Sequence, residues 1–99
     1  MTGKTQKSVY TVKNPSESPF TLTLKGRNKW AMDQLKEAGR NGCTPIENPA
    51  PRWSAYIHNL RNFGVKIQTV TEQHGGKFAG NHARYVLLAE AAIVFAGGA

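Results

Sequence analysis

The sequence predicts an α+β fold in which helices carry the core and a β-hairpin follows them. Three observations predict it: a stretch at 49–62 with large apolar residues on one helical side only, an alternating run Val65–Thr71 whose partner returns at His82–Leu88, and a period-two run at Pro19–Leu24. Alternation sends successive side chains to opposite faces of a strand, whereas spacings of three and four gather them on one face of a helix. The 99 residues suffice for one domain with a single modest core.

In chain order, residues 1–18 hold Lys4, Lys7 and Lys13 among Ser and Thr, with Val9, Tyr10 and Val12 as apolar interruptions. They read as a flexible basic arm, either reaching along a polyanion or simply solvated, with the domain at 19–96 and a flexible tail at 97–99. Pro19–Leu24 is a half-buried strand that Lys25-Gly26 stops, and it is expected as an extra N-terminal strand beside the later hairpin. Ala31, Leu35 and Ala38, with Trp30 beside them, set a first helix from Arg27 or Asn28 to Ala38, and Gly39 stands where a helix stops. After a turn at Gly39–Gly42, Thr44-Pro45-Ile46-Glu47 matches a capping box and opens a short second helix. Pro49 and Pro51 end it, and Asn48 is expected to cap the third helix. A three-helix core results.

On a helical wheel of 49–62, Trp53, Tyr56, Ile57 and Leu60 share one side, to pack on Trp30 and Leu35. Ser54, Ala55, His58, Asn59 and Asn62 share the other. Small residues let another backbone approach, and amides and an imidazole donate and accept hydrogen bonds to base edges. Arg52 and Arg61 flank this face and suit phosphates. The residues thus read as a recognition helix for the DNA major groove.

Past Gly64, Val65–Thr71 and His82–Leu88 form the two strands of a hairpin, joined by a long Gly-rich connection at 72–81. His74, Lys77 and Asn81 lie at its tip, near His82 and Arg84, and Lys66 at its base. So long a basic tip looks like a wing. The apolar segment 88–95 fits a helix, through Leu88, Ala91, Ala92 and Phe95, or a strand, through Ile93-Val94-Phe95. Its role is to cover the core or to contact a second copy in a homodimer.

With 13 Lys+Arg against 6 Asp+Glu, the net charge of +7 points to a negatively charged partner. No apolar run approaches the roughly 18–20 residues that span a bilayer, and the first residues lack the apolar stretch of a signal peptide, so nucleic acid is preferred to membrane and a reducing, cytoplasmic interior is expected. The single Cys43 agrees with that compartment. Cys43, His58, Glu72, His74 and His82 match no paired-ligand spacing of a zinc site, and Gly75, Gly76 and Gly80 lack the ending of a phosphate loop. The acids are scattered over different elements, so neither enzyme chemistry nor a metal or other cofactor is expected.

These residues resemble the winged helix-turn-helix domains, in particular a small group associated with bacterial and phage-derived genomes. Arg52-Trp53 through Ile57, Leu60-Arg61, Gly64-Val65-Lys66-Ile67 and the returning Arg84-Tyr85-Val86-Leu87 carry the resemblance, which spans roughly residues 27–88. It implies a DNA-binding fold with the helix at 49–62 in the major groove and the hairpin at 65–88 on the backbone or minor groove. Arg52, Ser54, His58, Asn59 and Asn62 take the recognition positions, with Arg61, Lys66, His74, Lys77 and Arg84 completing the expected DNA-binding set. The chain departs from that group where Pro49 and Pro51 replace an ordinary turn.

Two readings follow. One is a double-stranded DNA-binding module, such as a phage- or prophage-type transcription regulator. The other is a protein-interaction winged helix that docks a partner on the same helix face or on the apolar C-terminus. A protein-binding face would expose larger apolar residues than Ser54, His58, Asn59 and Asn62, which favours DNA; RNA is a lesser third partner.

Overall fold

Tyr10, at the middle of the first strand, is fully buried, and around it the computed structural model, which describes residues 7–48, 52–75 and 80–97, assembles a sheet that the sequence did not announce. Strand β1 (Lys7–Lys13) lies between β2 (Phe20–Lys25) and β5 (Glu90–Gly97), antiparallel to both. Ser8, Tyr10 and Val12 point inward while Lys7, Thr11 and Lys13 do not, a period-two pattern interrupted by no charge between its ends. Residues 7–13 therefore do not belong to a flexible arm: they are the central strand, and the domain begins well before residue 19. The lysines that gave the segment its disordered look stand at the two ends of the strand. Residues 1–6 lie outside the described residues.

Strand β2 forms where alternation places it, but its partner is β1 rather than the later hairpin. Helix α1 (Gly26–Ala38) follows directly and buries Ala31, Met32 and Leu35. It ends at Gly39, whose positive φ of 57° lets its amide close on the Leu35 carbonyl. A single 3-10 turn, Gly39–Asn41, leads to Gly42, where a Cβ would stand 2.6 Å from the Tyr85 carbonyl oxygen. That close approach allows Cys43 to bridge Tyr85 by two backbone hydrogen bonds of 2.9 Å, which fastens the inter-helix segment to the hairpin.

The short second helix does not develop. The Thr44 hydroxyl accepts the Glu47 amide at 2.9 Å, as half of a capping box requires, and the Asn48 amide reaches the Thr44 carbonyl. The Glu47 side chain, however, turns to Arg84 instead of back to its own turn. One turn remains where a helix was expected, so among the described residues the core has two α-helices rather than three. Asn48 is not a helix cap either. Its carbonyl accepts the Trp53 indole N–H and its side chain faces the Thr44 amide, while Arg52 occupies the cap position of α2 (Trp53–Asn62) with no side-chain cap bond. Residues 49–51, expected as the first turn of that helix, lie outside the described residues.

Helix α2 buries Trp53, Tyr56, Ile57 and Leu60, as its wheel required. Trp53 packs on Trp30 at 5.3 Å between ring centroids and stacks on Tyr85 at 6.1 Å, so one aromatic cluster joins both helices to the hairpin. The hairpin pairs β3 (Ile67–His74) with β4 (Gly80–Leu87) in unbroken register from Ile67↔Leu87 to His74↔Gly80. The strands thus run past Glu72 and leave a shorter tip than the Gly-rich composition implied. The segment after Leu88 resolves as strand β5 and not helix, because β1 offers an edge whose backbone groups need partners.

Asn14 locks these parts together. It is buried just after β1, its amide donates to the Gly64 carbonyl at 2.7 Å, and its oxygen accepts the Lys66 amide at 3.0 Å. The end of α2 is therefore held by the turn that leaves β1.

Candidate nucleic-acid interface

The exposed side of α2 carries the residues that the sequence assigned to recognition. Ser54, His58 and Asn62 are exposed, and Ala55 and Asn59 are half-buried. The Asn62 amide donates to His58 Nε2 at 3.1 Å, an arrangement that leaves His58 Nδ1–H as a donor and Asn62 Oδ1 as an acceptor, both on the open face. Asn59 is tied to the first helix, donating to Asn28 Oδ1 at 3.1 Å. It positions the two helices as well as facing the groove between them.

That groove is the feature sequence reasoning missed. Lys25, Arg27 and Asn28 from the start of α1 meet Arg52, Ser54, Ala55, Tyr56, His58 and Asn59 of α2 around one open hollow with no acidic residue in its lining. Neither helix has an acid in its first turn or a side-chain cap, so the positive ends of both helix dipoles stay uncompensated. Arg27 lies over the Trp30 ring at 4.4 Å and reaches the Tyr56 hydroxyl at 3.3 Å, which fixes its guanidinium. Lys25, Arg27 and Arg52 enter no ion pair among the described residues. A signal was present in Lys25-Gly26-Arg27-Asn28-Lys29: cations crowd a helix start, where acids are the stabilising choice.

Arg61, Lys66 and Arg84 of the expected set are instead engaged by the protein's own framework. Arg61 donates to the Ile67 carbonyl and the Thr69 hydroxyl, both at 2.7 Å, which braces the end of α2 against β3. Lys66 pairs with Glu17 at 3.3 Å, and with Asn14, the largest influence, it holds the Glu17 carboxyl below its ordinary range. Arg84 is the most committed. It meets Glu72 at 2.6 Å, Glu47 at 3.1 Å and the Asn41 carbonyl at 2.6 Å, linking the hairpin to the inter-helix turn. Its hydrogen bond is the main cause that keeps the Glu72 carboxyl depressed. His74 stacks on His82, with Nδ1 atoms 2.9 Å apart, and His82 continues to Glu72 at 3.1 Å. Lys77 lies outside the described residues.

Cys43 is fully buried, and burial pushes its thiol up to about 11, away from reactivity. Among the described residues no cluster of three or more His, Cys, Asp or Glu is placed to hold a metal ion, and no helix is long and apolar enough to cross a membrane.

Two helices, the second presenting a polar face, followed at once by a β-hairpin joined to both: this is the arrangement of a winged helix. A family model described as a winged helix domain matches residues 21–96. The chain belongs to the winged-helix domain family. The match begins after β1, the strand at the centre of the sheet. No curated protein and no solved structure matches this winged-helix chain.

Proposed function

We propose that this winged-helix domain binds double-stranded DNA, with α2 in the major groove and the β3–β4 wing on the backbone or minor groove, and that it acts by binding and not by catalysis. The observation that carries the reading is the acid-free groove of Lys25, Arg27 and Arg52 beside the open face of Ser54, His58 and Asn62. A phosphate chain can lie against the cations and the helix N-termini while the second helix meets base edges. A helix about 10–12 Å across fits a major groove about 12 Å wide. Sequence selectivity would make the domain a regulator of transcription, in keeping with the phage-associated group it resembles. Docking of a protein on the same face is the weaker reading, because that face has no large apolar anchor.

The test is a titration with duplex DNA at two salt concentrations, followed by selection from random duplexes. Binding should weaken as salt rises, and a preferred site should emerge. Replacing His58 or Asn62 by Ala should weaken that site by about 1–3 kcal/mol and leave random DNA nearly unaffected. Salt-independent binding, or equal losses on all sequences, refutes base reading by α2.

A further inference from the structure

In the order β2–β1–β5, strand β5 gives one edge to β1 and leaves the other without a strand among the described residues. Folded proteins commonly blunt such edges with lysine, proline or short length. β5 has eight residues, Glu-Ala-Ala-Ile-Val-Phe-Ala-Gly, with no lysine, arginine or proline. The opposite edge strand, β2, carries Lys25 and alternating threonines. Ile93, Val94 and Phe95 are 44, 58 and 56 % exposed, and Leu88, just before the strand, is 44 % exposed. Neighbours on a strand point to opposite sides, so three consecutive exposed residues leave both faces of this end uncovered. Val94 is the extra residue of a bulge, since the register passes from Val9↔Phe95 to Tyr10↔Ile93, but Glu90–Ile93 keep a regular ladder that another strand can follow.

We propose that β5 pairs antiparallel with β5 of a second copy of this chain, joining two three-stranded sheets into one across a two-fold axis. Self-pairing is what this strand suits. An antiparallel strand paired with itself closes after two copies and exposes no new edge of its own. Centred on Ala92, it sets Ala92 of one copy across from Ala92 of the other and Ala91 across from Ile93, since residues that face each other must share a face of the sheet. The two Glu90 carboxylates lie on opposite sides of the axis and stay apart. Charge selects the same partner. Two chains of +7 repel wherever their basic surfaces meet, and β5 is an edge without a cation, whereas Lys25 lies on the far strand and Arg27 and Arg52 on the helices. Pairing needs no DNA, so it stands or falls apart from the function proposed above.

Sedimentation equilibrium of the full chain without DNA should show a dimer at micromolar concentrations. Val94→Lys should weaken it by about tenfold or more, with the circular dichroism spectrum and melting temperature of the parent; if that variant unfolds, Phe95→Lys serves instead. Geometry is tested by oxidation of an Ala92→Cys chain. Ala92 is exposed beside the proposed axis and Cys43 is buried, so a cross-linked dimer should form, and form faster than with Thr21→Cys on the exposed β2 edge. A chain that stays monomeric, a dimer indifferent to both lysine variants, or equal cross-linking at the two cysteines overturns the proposal. Capture of a strand from a different protein by an otherwise monomeric chain overturns it too.

Discussion

Replacing Arg52 and Arg84 separately by Gln should divide the basic residues of this domain into those that would reach DNA under the proposed function and those that hold the fold. Arg52 lines the acid-free groove with Lys25 and Arg27, while Arg84 is spent on Glu72, Glu47 and the Asn41 carbonyl. Each phosphate neutralised on a duplex contributes about −0.9 to the slope of log affinity against log salt, so three groove cations give a slope of about −2.7. A fourfold rise in salt then lowers affinity about 40-fold. Without Arg52 the slope becomes about −1.8 and the same rise costs only about 12-fold. Arg84→Gln should leave the slope at the parent value and lower the melting temperature, because two carboxylates and a carbonyl lose their donor. The assay is fluorescence anisotropy of a labelled duplex titrated at several potassium chloride concentrations. If Arg84→Gln reduces the slope by about one unit and Arg52→Gln does not, the assignment of the two arginines is inverted.

Leu60 is fully buried, so Leu60→Ala should cost about 2–5 kcal/mol and lower the melting temperature by about 10–25 °C; scanning calorimetry that shows no change would place the wrong face of α2 in the core. Asn14→Ala strips partners from the Gly64 carbonyl and the Lys66 amide, an expected loss of about 2–4 kcal/mol in urea unfolding, and a loss near zero would mean that the clamp holds nothing. Glu72 has its folded pKa depressed below the ordinary 4.5, chiefly by the Arg84 hydrogen bond, so its contribution is complete above that value and disappears as pH falls through the lowered one. Amide exchange in β3 and β4 should therefore accelerate in acid relative to the helices, and Glu72→Gln should remove the difference. The buried Cys43 thiol, raised from 9.0 to about 11, should react with a thiol reagent only as the domain opens; its stabilising term is complete below 9.0 and declines as pH rises toward 11, and rapid labelling at neutral pH would contradict its burial.

Much of the element structure was legible because it is written in local periodicity. Ala31 and Leu35 in α1 and Trp53, Ile57 and Leu60 in α2 bury the sides their spacing indicates, since a period of 3.6 is a property of the chain itself, whereas the alternating run after Gly64 forms a strand that buries only Ile67 between residues 67 and 71. The outward set Ser54, His58 and Asn62 follows from the same wheel. Where a signal was short, it misled. The Thr44 cap formed, but a capping hydrogen bond supplies only about 1 kcal/mol. Without an apolar face to bury, that is too little to carry a helix, and Glu47 found a better partner in Arg84.

The sequence by itself determined the two helices, the hairpin, the buried side of α2 and the basic character of the chain. Tertiary structure decided which strand pairs with which, because register and partner choice depend on residues distant in sequence: β1 became central only when β5, about eighty residues later, took its free edge. It also decided which charges are available. Net charge is a sum over the chain, but Arg61, Lys66 and Arg84 are each engaged by a carbonyl or a carboxylate from elsewhere in the fold. Lys25, Arg27 and Arg52 meet no such group, and the packing of α1 on α2 brings them into one groove, a juxtaposition of residues 25 and 52 that no local pattern encodes.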